Sequence, residues 1–116
     1  MNASIHLLDQ HCNDNAGALV DAAIEQLLPQ VPGWSVAAGR LQRDFAFRDF
    51  HATIDFVDAL AAMIHQQDHH PELTITYKHC VVRYNTHSAG GAISHNDFIC
   101  AARADAIYAQ QAGTEA

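Results

Sequence analysis

The chain has 116 residues, with six basic and thirteen acidic side chains and a formal net charge of −7. This length fits one domain, residues 1–116, and the acidic balance disfavours direct binding to the phosphate backbone of a nucleic acid. No apolar run approaches the roughly 20 residues of a membrane-spanning helix, and the N-terminus lacks the pattern of a signal peptide. We therefore expect a cytoplasmic protein with no membrane partner.

Two residue types stand out in the composition. Cys12, Cys80 and Cys100 are an odd number without a Cys-x-x-Cys spacing, which disfavours a disulfide framework or a thiolate zinc site. Ordinary thiols in a reducing compartment are the expectation. Nine histidines are unusual for this length. Histidine titrates near neutral pH and serves acid–base chemistry or metal binding.

The first half of the chain predicts a helix and two strands. Residues 1–16 lack a clear apolar pattern, and we expect them and residues 110–116 to be poorly ordered. A helix is predicted after that, ending near the pair Pro32-Gly33. Its apolar positions are Val20, Ile24, Leu27 and Val31. Residues 34–36 and 41–47, on either side of a turn at Gly39, predict two strands.

The second half predicts a long helix, two further strands and a last helix. Asp49 is the predicted N-cap of the long helix, and His70, before Pro71, lies beyond its end. Ser94 caps the last helix with Asp97 at N3, and we expect fraying after Tyr108. The long helix has an apolar stripe of Phe50, Ile54, Val57, Ala61 and Ile64, widened by Phe56, Leu60 and Met63. One face of the first strand carries Leu73, Ile75 and Tyr77, and one face of the next carries Val82, Tyr84 and Thr86. The buried face of the last helix is predicted to be Ile99, Ala102, Ala106 and Ile107.

The element order is α-β-β-α-β-β-α. Hairpins separated by helices favour an α+β fold with a four-stranded antiparallel sheet and helices packed on one face.

Asp68, His69 and His70 end the long helix, and Thr86 and His87 end a later strand. Because functional sites commonly form where rigid elements end, these side chains are candidates for one cleft. The competing interpretation is that each is an ordinary polar residue of a surface turn or strand end.

A metal site is a second alternative for the histidines. His65 and His69 have the i, i+4 spacing that chelates a metal on a helix face. Gln66 occupies the place of the glutamate in a His-Glu-x-x-His motif, and no carboxylate beyond Asp68 is an evident further ligand. We therefore expect no resident metal.

The sequence resembles the pterin-4a-carbinolamine dehydratase family over roughly residues 17–110. The matching segments are Asp68-His69-His70-Pro71-Glu72, Val81-Val82-Arg83-Tyr84-Asn85-Thr86-His87, Ser88-Ala89-Gly90-Gly91, Ser94-x-x-Asp97, Pro32-Gly33-Trp34 and Phe45-x-Phe47-x-Asp49-Phe50. The resemblance implies a lyase that dehydrates 4a-hydroxytetrahydropterin to quinonoid dihydropterin in tetrahydrobiopterin recycling, with no cofactor. It also implies a homodimer or homotetramer whose sheet extends across a dimer.

The resemblance also assigns residues. The family's three active-site histidines correspond to His69, His70 and His87. Further positions that line or support its cleft correspond to Asp68, Pro71, Thr86, Ser88, Ala89, Trp34 and Asp97. His65 stands where some members have a glutamate, so the support of a motif histidine is expected to differ here.

The implied reaction needs a proton delivered to the departing hydroxyl and another removed from N5–H, which imidazoles do efficiently near neutral pH. We predict that His69 and His87 handle these protons and that His70 binds the ring. Two alternatives stay open: a coactivator or dimerisation module, as some members of the family are, and a pterin binder without catalysis. An exposed apolar stripe on residues 49–67 would favour the protein-binding module.

Overall fold

Helices and strands follow one another in the predicted order, preceded by one short additional helix. The computed structural model describes the backbone of residues 4–115 and the side chains of residues 7–111. The helices are Ser4–Asp9 (α1), Asp21–Leu27 (α2), Phe50–Gln67 (α3) and His95–Glu115 (α4). The strands are Ser35–Ala37 (β1), Arg40–Ala46 (β2), Glu72–Ile75 (β3) and His79–Tyr84 (β4). Short 3-10 turns occupy Leu28–Gln30 and His87–Ala89.

The four strands form one antiparallel sheet in the order β1-β2-β4-β3. In the central pair, Leu41 lies opposite Tyr84 and Phe45 lies opposite Cys80. These four side chains are fully buried, whereas Asp44, which points to the other face, is exposed. The α+β fold with helices on one face of the sheet is therefore confirmed.

The core face of α3 lies on the side of the predicted stripe that Phe56, Leu60 and Met63 widen. Its N-cap is confirmed, because the Asp49 side chain accepts from the Ala52 backbone N–H at 2.8 Å. The buried apolar side chains of α3 are Ala52, Phe56, Leu60, Met63 and Ile64. The predicted burial of Phe50 is wrong: this ring is 47% exposed and stacks on the exposed ring of Tyr77. Phe50 and Tyr77 cover each other at the end of the sheet instead of entering the core.

Both chain ends contribute to the core. Helix α1, which the sequence pattern does not predict, buries Leu7 to 1% exposure. Six residues are too few for a stable isolated helix, so tertiary contact maintains α1. Of the segments expected to be poorly ordered, residues 1–3 and 116 lie outside the described residues. Helix α4 continues past Tyr108 to Glu115, and Gln111 Nε2 donates to the Ala52 carbonyl at 2.7 Å.

Smaller differences concern the edges of helices. Val20, an apolar position of the predicted first helix, is 71% exposed as the N-cap of α2. Ala106, predicted on the buried face of α4, is also exposed. Within the part of the chain that is described, no helix combines the length and apolar character that crossing a membrane requires.

Candidate active site

The end of α3 and the end of β4 border two adjoining depressions. The first, the open cleft, has a volume of about 310 Å³ and is lined by Asp68, His69, His70, Asn85, His87 and Gly91. The second, the inner hollow, has a volume of about 220 Å³ and is lined by Cys12, Asn13, Asp14, Gln67, Asp68, His69, Thr86, His87, Ser88 and Asn96. Asp68, His69 and His87 line both, so the predicted convergence of these residues is present in the structure.

A left-handed residue positions His69. Asp68 ends α3 with φ 51° and ψ 43°, and its backbone N–H donates to the Ile64 carbonyl at 2.8 Å. Aspartate adopts this conformation more readily than most L-residues. The reversal brings the His69 ring onto the buried ring of Tyr84, with ring centres 5.3 Å apart and planes 10° from parallel. His69 is thus held from one side by an aromatic surface.

A buried carboxylate holds the Nε2 edge of His69. His69 Nε2 lies 2.6 Å from Asp97 Oδ1, and the Asp97 side chain has no solvent exposure. The second oxygen, Oδ2, accepts from the Ser94 backbone N–H at 2.8 Å and from the Thr86 hydroxyl at 2.9 Å. Asp97 therefore joins β4, the start of α4 and the turn after α3.

The direction of each hydrogen bond in this network follows from its members. The single Thr86 hydroxyl proton goes to Asp97, so the Ser94 hydroxyl must donate to Thr86 Oγ1, 2.6 Å away. The Asn96 backbone N–H in turn donates to Ser94 Oγ at 3.1 Å. With Asp97 as an acceptor, His69 uses Nε2 as its donor. Its Nδ1 is then the ring nitrogen left for chemistry.

Asp97 also sets the protonation of His69. Burial by itself disfavours the imidazolium, but the hydrogen bond and negative charge of Asp97 outweigh it and raise the pKa of His69. The protonated form of His69 is therefore more populated at neutral pH than in an exposed histidine.

The turn after β4 brings Ser94 to Thr86. Gly90 and Gly91 have φ values of 71° and 88°, which side-chain-bearing residues rarely adopt. The Thr86 backbone N–H donates to the Ala92 carbonyl at 2.9 Å, which closes the turn. The predicted cap of α4 is confirmed, since Ser94 Oγ accepts from the Asn96 backbone N–H and the Asp97 side chain accepts from the Ser94 backbone N–H.

His70 and His87 differ from His69 in their surroundings. Both are exposed, and both line the open cleft. Asn85 and Gly91 also line the cleft, and Asn85 Nδ2 donates to the Gly91 carbonyl at 3.1 Å. The site thus combines one fixed histidine with two that are open to a bound molecule.

Residues 10–16, which we call the N-terminal strap, form one wall of the inner hollow. The Cys12 backbone N–H donates to Gln67 Oε1 at 2.8 Å, and Asn96 Nδ2 donates to the Asn13 carbonyl at 2.8 Å. Ser88 Oγ donates to the Ala16 carbonyl at 3.1 Å. The strap is thereby bound to α3, α4 and the turn after β4. Sequence reasoning missed it, and also missed Gln67, Asn85 and Asn96.

Some predicted site residues lie elsewhere. Trp34 is buried, packs on Phe45 and Tyr84, and donates from Nε1 to Asp105 Oδ1 at 2.7 Å. It lines neither depression, so its expected contact with substrate finds no support in this placement.

Pro71, Ala89 and His65 also lie outside the two linings, and His65 is exposed on α3. Since α3 ends before His69, the i, i+4 pair does not form on one helix face. Among the described residues no cluster of three or more histidine, cysteine or acidic side chains is suited to a metal ion.

Known proteins share this architecture and sequence. The family model described as pterin 4 alpha carbinolamine dehydratase matches residues 17–107. A protein of Xanthomonas euvesicatoria pv. vesicatoria, named "Putative pterin-4-alpha-carbinolamine dehydratase", is 48% identical over 115 residues, covering 95% of this chain and 97% of that protein. A protein of the same name from Stenotrophomonas maltophilia is 45% identical over 111 residues, covering 91% and 95%.

A solved structure is also similar. The crystal structure of a transcriptional coactivator/pterin dehydratase from Brucella melitensis has a TM-score of 0.75 and 29% identity, covering 79% of this chain and 99% of that chain. The family model spans most of the chain, and these relatives are similar over nearly all of it. The chain therefore belongs to the pterin-4-alpha-carbinolamine dehydratase family.

Proposed function

We propose that this protein dehydrates a 4a-hydroxytetrahydropterin to the quinonoid dihydropterin and so serves tetrahydrobiopterin recycling. The observation that carries the proposal is the pair His69 and Asp97, a proton-carrying imidazole fixed at the wall of an open cleft. The names of the relatives supply the substrate class.

His69 is the proposed acid. The reaction breaks the bond between C4a and its hydroxyl, and the hydroxyl leaves as water after taking up a proton. Because Asp97 raises the pKa of His69, the charged ring, which can donate from Nδ1, is more populated at neutral pH than in an exposed histidine. Asp97 then stabilises the same imidazole orientation throughout the cycle, since Nε2 stays hydrogen-bonded to it.

His87 is the proposed base, and His70 binds the pterin ring. Removal of the N5 proton by His87 lets the nitrogen electron pair form the new double bond to C4a as the hydroxyl leaves. Both side chains are exposed and line the open cleft together with His69, which supports their contact with a bound pterin ring. The reaction transfers protons and releases water without a change of oxidation state, so it requires no redox cofactor.

The structure offers little for the alternative of a protein-binding module. Among the described residues of α3, Phe50 is the large apolar side chain that is exposed, and it stacks on Tyr77. The outer face of α3 otherwise carries polar side chains such as His51, Asp55 and Asp58. An apolar stripe for a partner helix is not present there.

We further propose that the protein acts as a homodimer or homotetramer. Strand β3 is an edge strand of the sheet, and its last residue, Ile75, is 41% exposed, a combination that favours pairing with another copy. Light scattering on the purified protein tests this, and a monomer at micromolar concentration would contradict it.

The experiment that tests the function is a kinetic assay of 4a-carbinolamine dehydration with and without chelator. Activity that survives chelation is expected for acid–base chemistry.

The variants His69→Gln and His87→Ala should each lose about 10² to 10⁴ in kcat/KM. Glutamine at position 69 keeps an N–H donor for the buried Asp97, so the fold is preserved. The control is His51→Ala, an exposed histidine of α3 outside the cleft. Wild-type turnover in both site variants would exclude this assignment.

A further inference from the structure

Two cysteines from distant parts of the chain meet beside the candidate active site. Cys12 lies on the N-terminal strap and Cys100 on α4, with their Sγ atoms 3.5 Å apart. Both are free thiols. Cys12 is half-buried and lines the inner hollow together with His69, whereas Cys100 is fully buried. The pair therefore has one sulfur that a reagent can reach through the site and one that it cannot.

We propose that Cys12 and Cys100 form a reversible redox modification site, at which a low-molecular-weight disulfide such as glutathione disulfide oxidises the two thiols to an intramolecular disulfide and lowers the activity of the adjacent cleft. The loss of activity rests on the proposed function, whereas formation of the disulfide does not.

The hydrogen bonding, burial and neighbouring charges of Cys12 and Cys100 shift the pKa values of the two thiols in opposite directions. The hydrogen bond from the Cys100 thiol lowers the pKa of Cys12, against the opposing effect of burial, and the charge of His69 lowers it further. The same hydrogen bond, together with burial, raises the pKa of Cys100. Cys12 is thus the attacking thiolate and Cys100 the resolving thiol.

The chemistry is two successive thiol–disulfide exchanges. Cys12 attacks one sulfur of the reagent, whose S–S bond breaks, and the first small thiolate leaves and takes a proton from solvent. Cys100 then loses its proton to solvent and attacks the Cys12 sulfur, which expels the second small thiol. One reagent disulfide is reduced to two thiols, and two protein thiols are oxidised. The hydrogen bond that raises the pKa of Cys100 ends once Cys12 carries the mixed disulfide, which assists the second step.

The new bond changes the wall of the site. Its formation must bring the sulfur atoms closer than 3.5 Å, which draws Cys12 towards α4. Cys12 is continuous with Asn13 and Asp14, which line the inner hollow, and its backbone N–H is bound to Gln67. Because displacements on the order of 1 Å can cost up to about 10² in rate, we expect kcat/KM to fall about tenfold.

The test is to treat the purified full-length protein with glutathione disulfide, then measure free thiols, disulfide-linked peptides and dehydration in parallel. Of the three thiols, one is expected to remain, together with a Cys12–Cys100 linked peptide and a tenfold loss of kcat/KM that dithiothreitol reverses. Cys100→Ala should give only a glutathione adduct at Cys12, and Cys12→Ser should give no linked peptide. The matched control is Cys80→Ala, which removes the third cysteine and should still form the link.

Three outcomes would overturn the proposal. Three unreacted thiols, or an adduct at Cys12 without a link to Cys100 in the wild type, would exclude the disulfide. A complete link with unchanged kcat/KM would exclude regulation. An enzyme inactive in both redox states that still forms the link would refute the proposed function and leave the modification site standing.

Discussion

His69 Nε2 and Asp97 Oδ1 lie 2.6 Å apart although the two residues are 28 positions apart in the chain. The carboxylate has no solvent exposure and the histidine side chain is 11% exposed. Each compensates the desolvation of the other, because an unpaired buried charge is costly. The structural network and the proposed proton donor therefore depend on the same contact.

Asp97→Asn should weaken both the hydrogen-bond network and the proposed proton donor, His69. We expect unfolding free energy to fall by about 2 to 4 kcal/mol, since one partner of a buried charged pair is lost. The pKa of His69 should fall, and kcat should drop by about 10² to 10⁴. NMR titration of the His69 ring and denaturant unfolding measure these effects. Asp105→Asn is the matched control, because Asp105 pairs with Trp34 and Arg43 instead. An unchanged His69 pKa in Asp97→Asn would contradict this account.

The contribution of the His69–Asp97 pair to the unfolding free energy should change with pH in a defined direction. The folded pKa of His69 is raised above its ordinary value of 6.5. Its stabilising contribution is therefore fully present below pH 6.5 and is lost as the pH rises through the higher folded value. The difference in unfolding free energy between wild type and Asp97→Asn, measured from acidic to alkaline pH, should shrink across this interval. A difference that grows with pH would refute the assignment.

Thr86→Val should weaken the network without removing a charge. The Ser94 hydroxyl and Asp97 Oδ2 would each lose a buried partner. We expect a loss of about 1 to 3 kcal/mol in unfolding free energy, measured in urea. Thr86→Ser keeps the hydroxyl and should recover most of it. Equal stability of the valine and serine variants would show that the network is not the cause.

Gln67→Ala should release the strap. Gln67 is buried, with Oε1 accepting from Cys12 N–H and Nε2 3.2 Å from His11 Nδ1. We expect faster hydrogen exchange at the amides of residues 11–14 and a higher KM with a smaller change in kcat. The control is Gln66→Ala, on the exposed side of the same helix. Equal exchange in both variants would exclude Gln67 as the anchor.

His70→Ala should separate binding from proton transfer. His70 is exposed and makes no network contact, so stability should change by less than about 0.5 kcal/mol. We expect KM to rise while kcat changes little, in contrast with His87→Ala, in which kcat falls. Steady-state kinetics on both variants measure this. A kcat loss in His70→Ala as large as that in His87→Ala would instead place His70 among the proton-transfer groups.

Features that act locally were predictable from the sequence, as the caps at Asp49 and Ser94 show. Their function depends on residues three positions away, so one short segment contains the signal. Which of the two rings, His69 or His70, packs on Tyr84 and pairs with Asp97 was not predictable. The left-handed conformation of Asp68 decides which ring faces Tyr84. Two consecutive histidines give no sequence signal for that conformation. The strap and α1 were missed because tertiary contacts alone maintain them.

The contact between the turn after α3 and the start of α4 has a consequence for synthesis on the ribosome. His69 is made well before Asp97, which follows the last strand, so the histidine has no acidic partner while the sheet is being completed. Until α4 emerges and docks, Thr86 also lacks the carboxylate that accepts its proton. A nascent chain that stalls before α4 would carry all three site histidines and still have no assembled centre.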